Sequence, residues 1–333
     1  MNSETMNSET SMDTHTTKTR TTALLAAAMI TLGAATAFGA TVGTDYLSDA
    51  SLMVAVTGGS ESNNGYGAVS YDYSIGKYEV TNAQYAYFLN TIGVTTSNNN
   101  LGLYSSWQES YGLTWNGSQF VGDNRPVVYV SFYDAARFVN WLTNGGTAFS
   151  STENGLYEFS SDGTTLVSTP NHAAAAATGG GWVIPNEDEW YRAAYYNGAG
   201  GWWNYATQSN DFSGSLTATN GQNYADGNGR EALEVGSFIN ASSYFGTYDQ
   251  GGNVWEWTES IYFGTSRVVR GGAFNFTEGN LTAASGRYPL GLYNENGYTG
   301  FRVAYLTAVP EPGTYAALAG LAMLAYVIVR RRR

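Results

Sequence analysis

Apolar residues recur at helical spacing in three stretches, and each stretch opens on a capping signal. Thr81-Asn-Ala-Gln84 sets an N-cap threonine three residues ahead of a glutamine, and Tyr85, Phe88, Leu89 and Ile92 follow at i, i+3, i+4 and i+7. Ser131-Phe-Tyr-Asp134 opens a second helix, with Ala135, Phe138, Val139 and Leu142 on its buried stripe. Asn186-Glu-Asp-Glu189 opens a third, with Trp190, Ala193 and Ala194 facing inward. Pro126 and Pro185 stand before the second and third helices, where the chain should be extended. Glu187, Asp188 and Glu189 crowd a helix N-terminus, where the peptide dipoles favour them, so capping is the role expected of them.

Strands are expected at residues 73–78, 254–258, 267–270 and 301–305. In Val254-Trp-Glu-Trp-Thr258 a period of two puts Trp255 and Trp257 on one face and Glu256 on the other. Between these elements, residues 95–107, 145–181 and 198–229 are rich in Gly, Asn and Ser and read as surface loops. The alanine run at 173–177 carries no assignment, and no internal repeat is evident.

Both ends differ from this body. Lys18 and Arg20 precede an uncharged apolar run over residues 23–38, and small residues follow, which reads as an export signal cleaved after Ala37 or Ala40. The polar tract before Lys18 is long for such a signal, and Met12 is an alternative start. At the other end, Val309-Pro-Glu-Pro-Gly-Thr-Tyr315 leads into an apolar run over 316–329 and then Arg330 to Arg333. That run falls short of the roughly 20 residues that span a bilayer comfortably. The arginines would hold its end on the cytoplasmic side, as in a C-terminal membrane anchor. The expected organisation is a leader over 1–40, one domain over 41–308 and a sorting and anchoring segment over 309–333.

The chain has no cysteine, so no disulfide supports it. Its formal charge is −12, and because the two ends hold six of the 15 basic residues, the body is more acidic still. Lys77 is the only lysine of that body. Such a surface argues against nucleic acid as a partner and suits solubility outside the cell or cation binding. With 26 tyrosines, the body is too aromatic to be disordered.

Six ordered segments carry a resemblance. They are Gly76-Lys-Tyr-Glu-Val-Thr-Asn-Ala-Gln-Tyr85, Arg125-Pro-Val-Val-Tyr-Val-Ser-Phe-Tyr-Asp-Ala135, Val183-Ile-Pro-Asn-Glu-Asp-Glu-Trp190, Gly252-Asn-Val-Trp-Glu-Trp257, Arg270-Gly-Gly272 and Gly300-Phe-Arg302. In this order they resemble the sulfatase-modifying-factor family, also called formylglycine-generating-enzyme-like. The resemblance implies an α+β domain, irregular and loop-rich, of the formylglycine-generating-enzyme-like fold related to C-type lectins. The C-terminal segment resembles the PEP-CTERM sorting signal. That implies processing by an exosortase, with the membrane as a partner through the tail, in a Gram-negative-type bacterium.

The oxidase members of the family hold copper(I) between two cysteines just after the Arg-Gly-Gly segment, and by that spacing the positions here are about Phe276 and Leu281. Neither side chain binds a metal. The body has one histidine, His172, and one methionine, Met53, too few for a copper, zinc or non-haem iron site. His172 reads as a solvated loop residue. Family similarity further implies calcium at the Asp249 carboxylate, the Gly252 and Val254 carbonyls and the Glu256 carboxylate, and a weaker second site within 220–226. Oxygen ligands at alternate positions on a glycine-bent turn suit that ion. The competing reading is an Asx-turn at Asp249 with Glu256 paired to an arginine. Arg270 and Arg302 are expected to tie strands together through carboxylates or carbonyls.

Three functions remain. The first is an exported binding or matrix module for extracellular polysaccharide or a surface protein, using Trp107, Trp115, Trp202 or Trp203. The second is an enzyme of non-cysteine chemistry with acids such as Asp226 or Glu187, and the third a structural surface-layer component. The first is the expectation.

Overall fold

The computed structural model describes residues 43–212, 221–224 and 231–306. The expected leader and the C-terminal sorting and anchoring segment lie outside the described residues. Among the described residues no helix is long and apolar enough to cross a membrane.

All three helix starts form as the caps specify. Helix α1 (Asn82–Thr91), α2 (Phe132–Thr143) and α4 (Glu187–Tyr195) follow N-caps Thr81, Ser131 and Asn186, each in a reciprocal capping box with Gln84, Asp134 or Glu189. Such a box satisfies two amide donors that the first helical turn leaves open. Helix α3 (His172–Thr178) is the alanine run, capped by Asn171. Its seven residues show no two-turn periodicity, and burial of His172 and Ala176 holds it against the body.

The first sheet has the order β1-β2-β12-β7 and is antiparallel throughout. Its strands are β1 (Met53–Val56), β2 (Tyr73–Gly76), β7 (Gly181–Val183) and β12 (Ala304–Leu306). Two hairpins pair β3 (Leu113–Trp115) with β4 (Phe120–Gly122) and β5 (Glu158–Phe159) with β6 (Leu166–Ser168). Residues 145–181, read as one loop, therefore hold a two-stranded hairpin and a helix and end on the first residue of β7. The second sheet has the order β10-β9-β8-β11. It contains β8 (Trp255–Phe263), β9 (Ser266–Arg270), β10 (Arg287–Leu290) and β11 (Thr299–Gly300), with β11 parallel to β8. Residues 301–303, expected in a strand, are the passage from β11 to β12.

α1 and α2 meet through rings, with Phe88 at 5.3 Å from Phe138 and 5.2 Å from Trp141, and Phe301 at 5.5 Å from Phe138. The second sheet divides its faces as the alternation requires. Register places Trp257, Val269 and Tyr288 in one cross-strand row and Glu256, Arg270 and Arg287 in the next. Trp255 and Trp257 are buried in the core, and the charged row turns toward α4.

Candidate functional site

The loop before β8 is built from left-handed backbone. Asp249, Gly252 and Asn253 have φ of 62°, 90° and 58°. A Cβ on Gly252 would lie 2.1 Å from the Asn223 carbonyl oxygen, so only glycine fits there. Asn253 fixes the loop by accepting the Leu233 amide and donating to Glu79.

This brings Asp249, Gly252, Val254 and Glu256 into one turn, with Val254 and Glu256 fully buried. Both Glu256 oxygens are engaged. Arg302 donates to them from Nε and Nη2 at 2.5 and 2.6 Å, and Trp190 Nε1 donates to Oε2 at 2.7 Å. Arg302 also donates to the Gly76 and Tyr248 carbonyls, tying β2 to the loop. Asp249 accepts the Gly236 amide at 2.6 Å. Burial pushes its carboxyl up to about 6, and burial followed by Asp249 holds Glu79 well above the usual carboxylate range. Three carboxyl groups thus face one guanidinium, and Glu79 Oε1 has no hydrogen-bond partner. Among the described residues no three acids or histidines stand close enough together to ligate a metal. Of the 220–226 segment, only residues 221–224 are described.

His172 departs from its expected place. It is buried, and its Nδ1 lies 2.8 Å from Glu189 Oε1 while its Nε2 lies 2.9 Å from Glu259 Oε2. Both nitrogens face carboxylates, so both donate and the ring is an imidazolium. Burial alone would lower its pKa, but Glu189 and then Glu259 outweigh it and hold the ring at about 10. Tyr71 donates to Glu189 and Tyr157 to Glu259, each at 2.6 Å. The helix N-terminus that read as simple capping therefore aims its acids in three directions. Glu187 takes Arg270 and Arg287, Asp188 takes the Gly67 amide, and Glu189 takes His172. Glu187, paired in this way, is closed to acid–base work, and Asp226 lies outside the described residues.

Phe276 and Leu281, which the resemblance aligns with copper ligands, occupy apolar surroundings. Phe276 meets Trp255 at 5.3 Å and Tyr298 at 5.4 Å, while Leu281 is fully buried. Tyr288 leans on Trp255 and is 56% exposed. Nearby, Trp107 is 66% exposed and stacks on Tyr129, which packs on Tyr111; Tyr111, Tyr129 and Tyr298 all pack against the cluster of Val128, Val254 and Phe274. Tyr129 has φ of 53°, an unfavourable conformation for a bulky residue. It is held there by the Asn296 carbonyl accepting its amide and by Gln108 donating to its own carbonyl. Tyr293, 67% exposed, packs edge-on against Tyr133. Of the four tryptophans singled out from the sequence, only Trp107 is exposed. Trp115 packs on Phe120 and Trp202 on Tyr191 and Tyr196, while Trp203 is partly buried.

Residues 40–306 match the sulfatase-modifying factor enzyme 1-like domain. The chain belongs to that family. Residues 308–333 match the PEP-CTERM protein-sorting motif, which implies export, processing by an exosortase-type enzyme and a cell-surface or extracellular location. No curated protein is similar enough to count as a match. Solved structures similar to this family member include Treponema denticola variable protein 1, at 21% identity over 76% of this chain and 94% of that one with a TM-score of 0.49. CarF is 22% identical over 78% and 98% with a TM-score of 0.49, and PvdO from Pseudomonas aeruginosa 17% over 76% and 94% with the same score.

Proposed function

We propose that this is an exported, non-catalytic member of the family that binds polysaccharide at the surface of a Gram-negative-type bacterium or in its extracellular polymer. The observation that supports the reading is the set of connected rings that exposes Trp107 and Tyr288 and includes Phe276, one of the two positions that the resemblance aligns with the copper ligands of the oxidases. Flat rings that are exposed, yet fixed from behind by other rings, present sugar faces with a platform at little entropic cost. The strained Tyr129 backbone costs of order 1–3 kcal/mol, and its ring supports the exposed Trp107. Co-sedimentation of the purified protein with the host's extracellular polysaccharide tests this. Wild type should pellet with the polymer, and Trp107→Ala and Tyr288→Ala should each weaken binding about tenfold, the loss of roughly 1.4 kcal/mol. Variants that bind as wild type does would refute the surface, and wild type left in solution would refute the function.

Calcium at the 249–256 turn belongs to the same proposal, supported by the excess of buried carboxyl groups over guanidinium. Asp249 would hold the ion with the Gly252 and Val254 carbonyls, while Glu256 stays with Arg302 and Trp190. Calcium should then raise the melting temperature of wild type, and Asp249→Asn should abolish the rise. Identical melting of wild type in calcium and in chelator would remove calcium from the scheme.

A further inference from the structure

The segments that carry these rings also carry acids, each two residues from an aromatic position. Glu109 lies two residues beyond Trp107 and Glu278 two beyond Phe276, while Glu295 lies two beyond Tyr293 and next to Asn296, which binds the Tyr129 amide. All three acids are exposed, and none of them enters an ion pair among the described residues. The nearest basic groups along the chain are occupied, Arg125 by Asp123, Arg270 by Glu187 and Arg302 by Glu256. We propose that this surface selects a glycan bearing protonated amines, a polymer of amino sugars with free ammonium groups, over neutral or acidic polymers. The inference rests on the glycan-binding reading; the aromatic surface supplies the site, and the charges only choose its occupant.

The chemistry is complementary at each point. An indole face is the best aromatic partner for a cation, and Trp107 offers one to solvent, backed by Tyr129. The three carboxylates attract ammonium groups and repel uronates, so the same charges discriminate in both directions. Partial burial and then Asp134 push Glu295 up to about 7, so its charge is complete only above neutral pH, and a bound ammonium would favour the ionised form. A single exposed pair of this kind contributes little, but several along a repeating polymer add through linkage.

Isothermal titration of the full chain with four hexasaccharides decides the matter: glucosamine, N-acetylglucosamine, cellohexaose and guluronate. Expected is glucosamine hexamer binding at least tenfold tighter than its N-acetylated form, with guluronate not binding. Glu295→Gln should cut glucosamine binding at least threefold and leave cellohexaose unchanged, while Trp107→Ala should weaken both. Equal binding of the glucosamine and N-acetylglucosamine hexamers, or a preference for guluronate, would overturn the selectivity and leave the glycan-binding surface standing. Glucosamine binding that survives both substitutions would assign it to the protein's general negative charge and overturn the proposal. Failure of all four to bind would remove both readings.

Discussion

Replacing Arg302 with methionine is expected to destabilise the domain by roughly 3–5 kcal/mol, the usual loss when one member of a buried ion pair is removed. Arg302 and Glu256 are both fully buried, and the guanidinium faces Glu79, Asp249 and Glu256. Its removal leaves Glu256 with Trp190 as sole donor and also releases the Gly76 and Tyr248 carbonyls. For a domain of this size the melting temperature should fall by about 10 °C or more. Glu256→Gln alone should also destabilise, because it strands the arginine. The double variant should recover part of the loss, since two neutral side chains bury at far lower cost than one unpaired charge. Thermal melts of the four proteins form a double-mutant cycle. Additive losses, with no recovery in the double variant, would mean that the pair is not coupled as the geometry shows.

His172→Gln is expected to produce a loss of similar size, with a pH signature that identifies its origin. The substitution takes the imidazolium from between two buried carboxylates and leaves Glu189 with the Tyr71 hydroxyl and the Asn186 amide and Glu259 with the Tyr157 hydroxyl, so the cost is again about 3–5 kcal/mol near neutral pH. The ring is held at about 10 in the folded protein against 6.5 unfolded. A raised folded pKa means that the folded state binds the proton more tightly, so the stability it contributes is complete below about pH 6.5. That contribution declines as pH rises and is lost through about pH 10. Wild type should therefore lose stability between pH 6.5 and 10 by more than the variant, and the two melting curves should converge at the alkaline end. Parallel curves across that range would show that the ring is not an imidazolium in the fold.

The glycine-framed turn at 249–253 shows why some features are legible and others not. Caps, helical stripes and the Trp255/Glu256/Trp257 alternation are local rules, satisfied by residues within four positions of one another. The three helices and the faces of Trp255, Glu256 and Trp257 in β8 therefore follow from sequence. His172 obeys no local rule: its partners Glu189 and Glu259 are 17 and 87 residues away. A lone histidine before an alanine run looks solvated until α3 is laid against α4 and β8. The one local signal was the run of three acids at 187–189, more than a cap requires.

The same division holds for function. The sequence by itself determined the family through six ordered segments, the missing thiolate ligands through the absence of cysteine, and the sorting signal through its tail, because each depends on which residues are present and in what order. The tertiary structure alone decided which tryptophan meets solvent, which arginine neutralises which acid, and that Phe276, Tyr288 and Trp107 stand among one set of connected rings. Those are matters of distance between residues far apart in the chain. Exposure and charge pairing are properties of the folded surface, set by which strands pair and which helices cover them, and no local pattern encodes them.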